Sequence, residues 1–428
     1  MNPATSTNCI FPVANFTHVK DKVLSWASRF NTFCFLDDHQ YHLHPHSVEC
    51  LVAVGSIDFI KGASSTSLDR LQKFISSQKR WVFGHISYDL KNEIENVHSL
   101  NPDFVQFPDL FFFQPEVLIR FDDKEMLIEA SGEDEEKIFQ QILSTESSYN
   151  PLSSVTIQNR IGKEKYLSTI QKLKDHILRG DCYEINFCQE FFAENVTIDP
   201  VAVYQKLSAV SPNPFSAIYK VDDKYAVCAS PERFLKRSGN RILSQPIKGT
   251  AKRSNDIDND QEIRSNLLAS PKERSENVMI VDLVRNDLSK ICKEGTVQVD
   301  ELFGIYSFPQ VHQMISTISG ELKTDIAFTE IIKATFPMGS MTGAPKKRAL
   351  ELIDKYEHTK RGIFSGAIGY INPDQDFDFN VVIRSIMYNH SGKYLSFQTG
   401  SAITFYSDAE QEWEECMLKA EAMKQALR

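Results

Sequence analysis

Several common signatures are missing from this 428-residue chain, and each absence removes a class of protein. Its eight cysteines (Cys9, Cys34, Cys50, Cys182, Cys188, Cys228, Cys292 and Cys416) are scattered, and none is spaced as C-x-x-C. That argues against zinc and against a disulfide framework, and it fits a reducing cytoplasm. No basic tract exceeds a few residues and the net charge is −10, so no nucleic-acid partner is expected. The segment MNPATSTNCIFPVANF has neither a basic stretch nor a long apolar one, so it does not read as a signal peptide. The most apolar stretch, around Phe107 to Phe121, is broken by Pro108, Asp109 and Pro115. It cannot cross a bilayer as one helix and predicts buried aromatic strands, so no membrane partner is expected. No internal repeat is found.

What is present is the composition of an ordinary globular enzyme, 42% hydrophobic and 24% charged. The Ser-, Thr- and Asn-rich stretch 143–156 reads as a linker between residues 1–150 and a catalytic region, 158–428. Before it, strands are predicted at Thr32–Leu36, Glu49–Val54, Trp81–Tyr88, Leu110–Phe113 and Val117–Phe121, with helices at Asp21–Arg29, Ser67–Ser76 and Glu133–Leu143. After it, Lys163–Arg179 has helical periodicity and Cys182–Phe192 reads as a strand. Ser270-Pro271-Lys272-Glu273 places Ser at an N-cap, Pro at the first helical position and Glu at the third, opening a helix to about Lys290. Ser407-Asp408-Ala409-Glu410 opens a last helix in the same way. The pattern predicts an α+β fold of large, mostly antiparallel sheets with helices packed outside.

The second half carries the chemistry. Lys248 stands alone in SQPIKGT, after Pro246, which bars a helix, and before Gly249, which permits a tight turn. Desolvated, such a lysine sheds its proton and becomes a nucleophile; exposed, it is an ordinary turn lysine. Glu273 and Glu276 are three apart on one predicted helix, and Glu412 and Glu415 repeat that spacing on another. Two such helices face to face would gather four carboxylates around a hard cation such as Mg²⁺. Each pair alone also reads as helix-dipole or capping acid. Arg384, in the apolar run FNVVIRSIM, needs an anionic partner, either internal or a ligand carboxylate. Gly400 and Ser401 follow one strand later and could offer backbone amides. MGSMTGAPK is a Gly-rich turn before a helix, Lys347–Lys355. His312 reads as a polar group beside a ligand or as a satisfied core histidine. Glu232 reads as a general acid raised by burial or as the partner of a neighbouring cation.

Taken together, GDCYEINFCQ, ASPERFL, PIKGT, ERSENVMIVDLVRNDL, TGAPKKRALELI, FSGAIGY, VVIRS and EWEECMLKAEAM resemble the chorismate-utilising enzymes. These comprise anthranilate synthase component I, aminodeoxychorismate synthase component I and the isochorismate and salicylate synthases. The match covers about residues 158–428; LDDHQYHLHPHS and FGHISYDL resemble the family's weaker N-terminal region. The resemblance implies that Glu273, Glu276, Glu412 and Glu415 hold Mg²⁺, which neutralises the ring carboxylate of chorismate. It implies that Arg384, Gly400 and Ser401 cradle the pyruvyl carboxylate, and that Glu232 assists loss of the C4 hydroxyl. His312 and Ser340 match ring-lining positions, and Thr250 closes the PIKGT string.

Lys248 and Asn186 resemble the aminodeoxychorismate branch, in which the amine attacks C2, the hydroxyl leaves C4, and ammonia then expels the lysine. That route needs a neutral Lys248, and a lysine pKa lowered by burial near cationic groups and the bound metal is the expectation. Anthranilate synthases usually carry alanine at the lysine position, and the isochorismate and salicylate enzymes a lysine where this chain has Glu184. Glutamine is the usual residue there in ammonia-using enzymes, so Glu184 departs from the pattern. Related chains bind tryptophan near a Leu-Asp-Ser string; here FLDDH (Phe35–His39) has Asp38 for serine, and tryptophan binding stays open. No glutaminase elbow is found, so ammonia is expected from a separate glutaminase subunit or from solution. The rivals are anthranilate synthase component I and an inactive chorismate-binding scaffold.

Overall fold

In the strands of this protein, alternate side chains go to opposite faces, and those faces build two hydrophobic layers. A computed structural model describes residues 9–41, 50–62, 66–77, 79–146, 154–308 and 310–428. In the strand Thr32–Asp37, Phe33 and Phe35 pack in a cluster that includes side chains of the helices Phe16–Ala27, Lys163–Leu178 and Ala409–Ala426. Cys34, between them, points into a second cluster that also holds Phe83, Phe112 and Phe379 of the other sheet. The partner strand Cys50–Val54 alternates in register, with Val52 opposite Phe35 and Ala53 opposite Cys34.

Among the described residues, twelve strands form the first sheet and ten the second, and every pairing is antiparallel. This is the α+β architecture expected. Both sheets draw strands from either side of 143–156, of which residues 147–153 lie outside the described residues. In the first sheet Thr32–Asp37 pairs with Phe215–Val221; in the second Val82–Ile86 pairs with Ala367–Ile371.

The five strands expected in the first part are present as Thr32–Asp37, Cys50–Val54, Val82–Ile86, Leu110–Gln114 and Val117–Phe121. Glu49 and all of LHPHS (43–47) fall outside the described residues. Three strands were not expected: Cys9–Pro12, Asp58–Gly62 and Glu125–Ala130. Each is short, and Asp58–Gly62 and Glu125–Ala130 carry charges that mask their alternation. The helix Pro271–Ser289 begins as read, with Ser270 Oγ accepting from the Glu273 N–H. The last helix, Ala409–Ala426, is capped by Asp408 rather than Ser407, because the aspartate reaches both the Glu410 and Gln411 N–H groups. Ser407 Oγ instead accepts from the Thr404 N–H. None of the eight cysteines is in a disulfide. Among the described residues no helix is long and apolar enough to cross a membrane.

Candidate active site

A cavity of about 860 Å³ opens between the first-sheet strands Glu184–Glu194 and Tyr394–Ile403, the second-sheet edge strand Ile247–Lys252 and the helices Pro271–Ser289 and Ala409–Ala426. It is lined by Asn186, Glu232, Lys248, Thr250, Glu273, Glu276, Ser340, Arg384, Gly400 and Glu415. Ten of the thirteen residues singled out in the sequence thus share one wall. Ser401 and Glu412 are buried next to lining residues, and His312 is elsewhere.

Lys248 sits where the Ile247–Lys252 strand bulges against Val311–Glu321. Gly249 makes that path possible: its φ is +97°, and a Cβ there would lie 3.1 Å from a Glu273 carboxylate oxygen. The Lys248 ammonium donates to Glu184 Oε1 at 2.7 Å, and both side chains are buried. Burial opposes the charge on Lys248, but Glu184, Glu276 and Glu232 outweigh it and hold the ammonium well above its ordinary range. The expectation of cationic side chains around Lys248 is therefore corrected. The neighbours are anionic, not cationic.

Glu232 follows the strand Lys224–Ser230 and is buried. Burial pushes its carboxyl up to about 7, with the Ser340 hydroxyl and Lys248 countering in part. Asn186 donates from Nδ2 to the Ser340 carbonyl at 3.0 Å, tying the Gly339–Met341 turn to the strand Glu184–Glu194. Gly400 packs against the same strand so closely that a Cβ would lie 2.0 Å from the Phe187 carbonyl oxygen.

The four glutamates approach one another from two helices. Glu276 Oε1 and Glu412 Oε1 are buried without a hydrogen bond. The Lys272 ammonium lies 4.0 and 3.6 Å from them. Burial opposes the charge of Lys272, and Glu412, Glu276, Glu415 and Glu273 together raise it. Burial also pushes Glu276 up to about 7. Glu415 is paired with Lys419 at 2.6 Å, and Lys419 donates to the Gly400 carbonyl at 3.0 Å. Among the described residues no three such groups already converge as metal ligands. The donor set and the two orphaned oxygens nevertheless fit a hard divalent cation that would take over the role of Lys272.

Arg384 does not lie within a strand. The apolar run divides into Phe377–Asn380 of the second sheet and Ser385–Asn389 of the first, and Val381–Arg384 carries the chain across. Arg384 takes φ +52°, the left-handed region, at the end of that crossing. It faces the cavity, and its side chain has no hydrogen bond or ion pair with another described residue. His312 is turned away, because side chains alternate along Val311–Glu321 and its neighbour Gln313 is the one that lines the cavity. Its ring nitrogens meet Ser307 Oγ at 2.8 Å and Asp260 Oδ1 at 3.0 Å.

Glu184, Lys272 and Lys419 were not singled out as site residues. The i,i+4 spacing of Lys272–Glu276 and Glu415–Lys419 was a usable signal. Glu184 stands out in the sequence only as a departure at a family position, and the need of a buried lysine for a counter-charge is what points to its role.

Residues 26–425 match the family model described as chorismate binding enzyme. The chain is 31% identical over 362 residues to aminodeoxychorismate synthase component 1 of Bacillus subtilis, covering 81% of this chain and 76% of that one. It is 32% identical over 358 residues to anthranilate synthase component 1 of Thermus thermophilus, covering 81% and 77%. The crystal structure of anthranilate synthase component I from Streptococcus pneumoniae superposes with a TM-score of 0.77 at 26% identity, covering 90% of this chain and 94% of that one. The cavity, its buried acids and these similarities agree: the chain belongs to the chorismate-binding enzyme family.

Proposed function

We propose that this chain is an aminodeoxychorismate synthase component I, which replaces the C4 hydroxyl of chorismate by ammonia and keeps the pyruvyl group. The observation that carries the reading is Lys248, buried on the cavity wall with Glu232. In this reading the Lys248 amine attacks C2 of the ring. The double bonds shift and the C4–O bond breaks, while Glu232, raised to about 7, supplies the proton that makes the leaving group water. Ammonia then attacks C4 and the lysine leaves C2. Arg384, which makes no hydrogen bond or ion pair with a described residue, pairs with the pyruvyl carboxylate. Glu273, Glu276, Glu412 and Glu415 would hold Mg²⁺, whose charge neutralises the ring carboxylate. Ammonia comes from a separate glutaminase subunit, and a separate lyase acting on the product would give p-aminobenzoate for folate synthesis.

The test is incubation of the pure chain with chorismate, Mg²⁺ and an ammonium salt, with the product identified by mass spectrometry. The expected product is 4-amino-4-deoxychorismate. It should be lost on adding EDTA, reduced at least about a hundredfold by Lys248→Ala, and not formed from glutamine by the chain alone. Anthranilate as the wild-type product would overturn the assignment in favour of amination at C2.

A further inference from the structure

We propose that Glu184 is the proton acceptor that frees Lys248 for attack and returns the proton when the lysine is expelled. The inference rests on the amination reading above and adds a step it lacks. An ammonium has no lone pair, and Lys248 is held as one.

The geometry favours transfer across the existing hydrogen bond. Lys248 Nζ and Glu184 Oε1 are 2.7 Å apart, and Glu184 is 1% exposed. Its other oxygen, Oε2, is buried without a hydrogen bond. Once substrate fills the cavity, an ion pair so poorly solvated loses ground to the neutral amine and carboxylic acid. The pair also spans the two sheets: Glu184 opens a strand of the first and Lys248 lies on the edge of the second. The other charged groups around Lys248 are Glu232, Glu276 and Glu273, and Glu415 from the last helix. Glu232 serves the leaving group, and the remaining three belong to the cation cluster, which leaves Glu184 for the lysine.

The protons balance. Glu184 takes one proton from Lys248. The amine bonds to C2 as Glu232 protonates the C4 hydroxyl and water departs. Ammonia attacks C4, the C2–N bond breaks, and the amino group formed gives its surplus proton back to Glu232. Lys248 then recovers its own proton from Glu184.

Glu184→Gln keeps the shape and removes the acceptor. A lysine in its ordinary range is protonated at neutral pH, and without Glu184 solvent must take the proton. At a fixed concentration of neutral ammonia, kcat of the variant relative to wild type should fall at least about tenfold at pH 7, and the ratio should climb about tenfold per pH unit up to pH 9. Glu184→Asp, which keeps a carboxylate, should show a flat ratio. Separately, acylation of Lys248 by acetic anhydride in substrate-free protein, read by peptide mass, should be faster in Glu184→Gln than in wild type. Undiminished activity at pH 7, a loss equal at every pH, or unchanged acylation would overturn the proposal. The product made by wild type tests the amination reading instead, and the acylation measurement holds whichever carbon is aminated.

Discussion

Two arginines near the cavity show how differently this protein treats buried charge. Arg361, on the far side of the wall, makes five hydrogen bonds: two to Glu357, two to the carbonyls of Met341 and Asn186, and one to Ser365. Glu357 also accepts from the Cys188 N–H at 2.9 Å. All five N–H groups of Arg361 are used, and the residues the network ties, Asn186, Cys188 and Met341, are themselves cavity wall. Arg384, in front, has no such partner, and Glu184, Glu276 and Glu412 each keep an orphaned oxygen. A folded chain tolerates unsatisfied charge only where something else supplies the contact. The rear network holds the wall still; the front is left incomplete for a ligand.

The sharpest way to break this contrast is at Arg361. Arg361→Met strands the Glu357 carboxylate in the interior and should cost about 3–5 kcal/mol in urea unfolding. A loss below about 1 kcal/mol would mean the rear network is not what holds the wall. Glu232 gives the next largest effect. Its carboxyl rises from an ordinary 4.5 to about 7 in the fold, a difference worth about 3 kcal/mol. The raised value means that its stabilising share is complete below pH 4.5 and is lost as pH climbs to about 7. Glu232→Gln should therefore match wild-type stability at pH 4 and exceed it by up to about 3 kcal/mol at pH 9. Parallel stability curves for the two proteins would show that the site does not resist ionisation.

Arg384→Met sharpens the comparison from the other side. Removing a charge that makes no ion pair with a described residue should change stability by less than about 1 kcal/mol, yet raise KM for chorismate tenfold or more, since hydrogen bonds to charged groups contribute about 1.5–3 kcal/mol. An unchanged KM would remove Arg384 from the ligand cradle. The smallest effect belongs to a satisfied surface cap. Asp408→Ala should lower stability by about 1 kcal/mol, read from the thermal midpoint, because two N–H groups at the start of the last helix lose their acceptor.

Elements with strong local signals were legible in the sequence. The Ser-Pro helix start and the E-x-x-E pairs lie where their spacing put them, and Lys248 does reach the cavity. What could not be read depends on tertiary placement. One apolar run, FNVVIRSIM, looks like one strand, but it serves two sheets, and the change of sheet is invisible in hydropathy. Whether His312 or Gln313 meets the cavity is set by the strand's face, and a one-residue difference reverses it. The protonation of Lys248 turns on Glu184, 64 positions away in sequence. Burial of the lysine was foreseeable; the sign of its neighbours was not.

The interleaving of the sheets bears on how the chain acquires its shape as it is synthesised. Val82–Ile86 has Ala367–Ile371 as a neighbour, and Lys224–Ser230 waits for Ser385–Asn389. The last-made strands fill the middle of both sheets, not their rims. Until about nine-tenths of the chain exists, earlier strands carry open edges that invite mispairing. Contacts so distant in sequence make for slow folding. The cavity wall contributed by residues 384–415 is completed only with them, so the site forms together with the final closure of the fold and not before it.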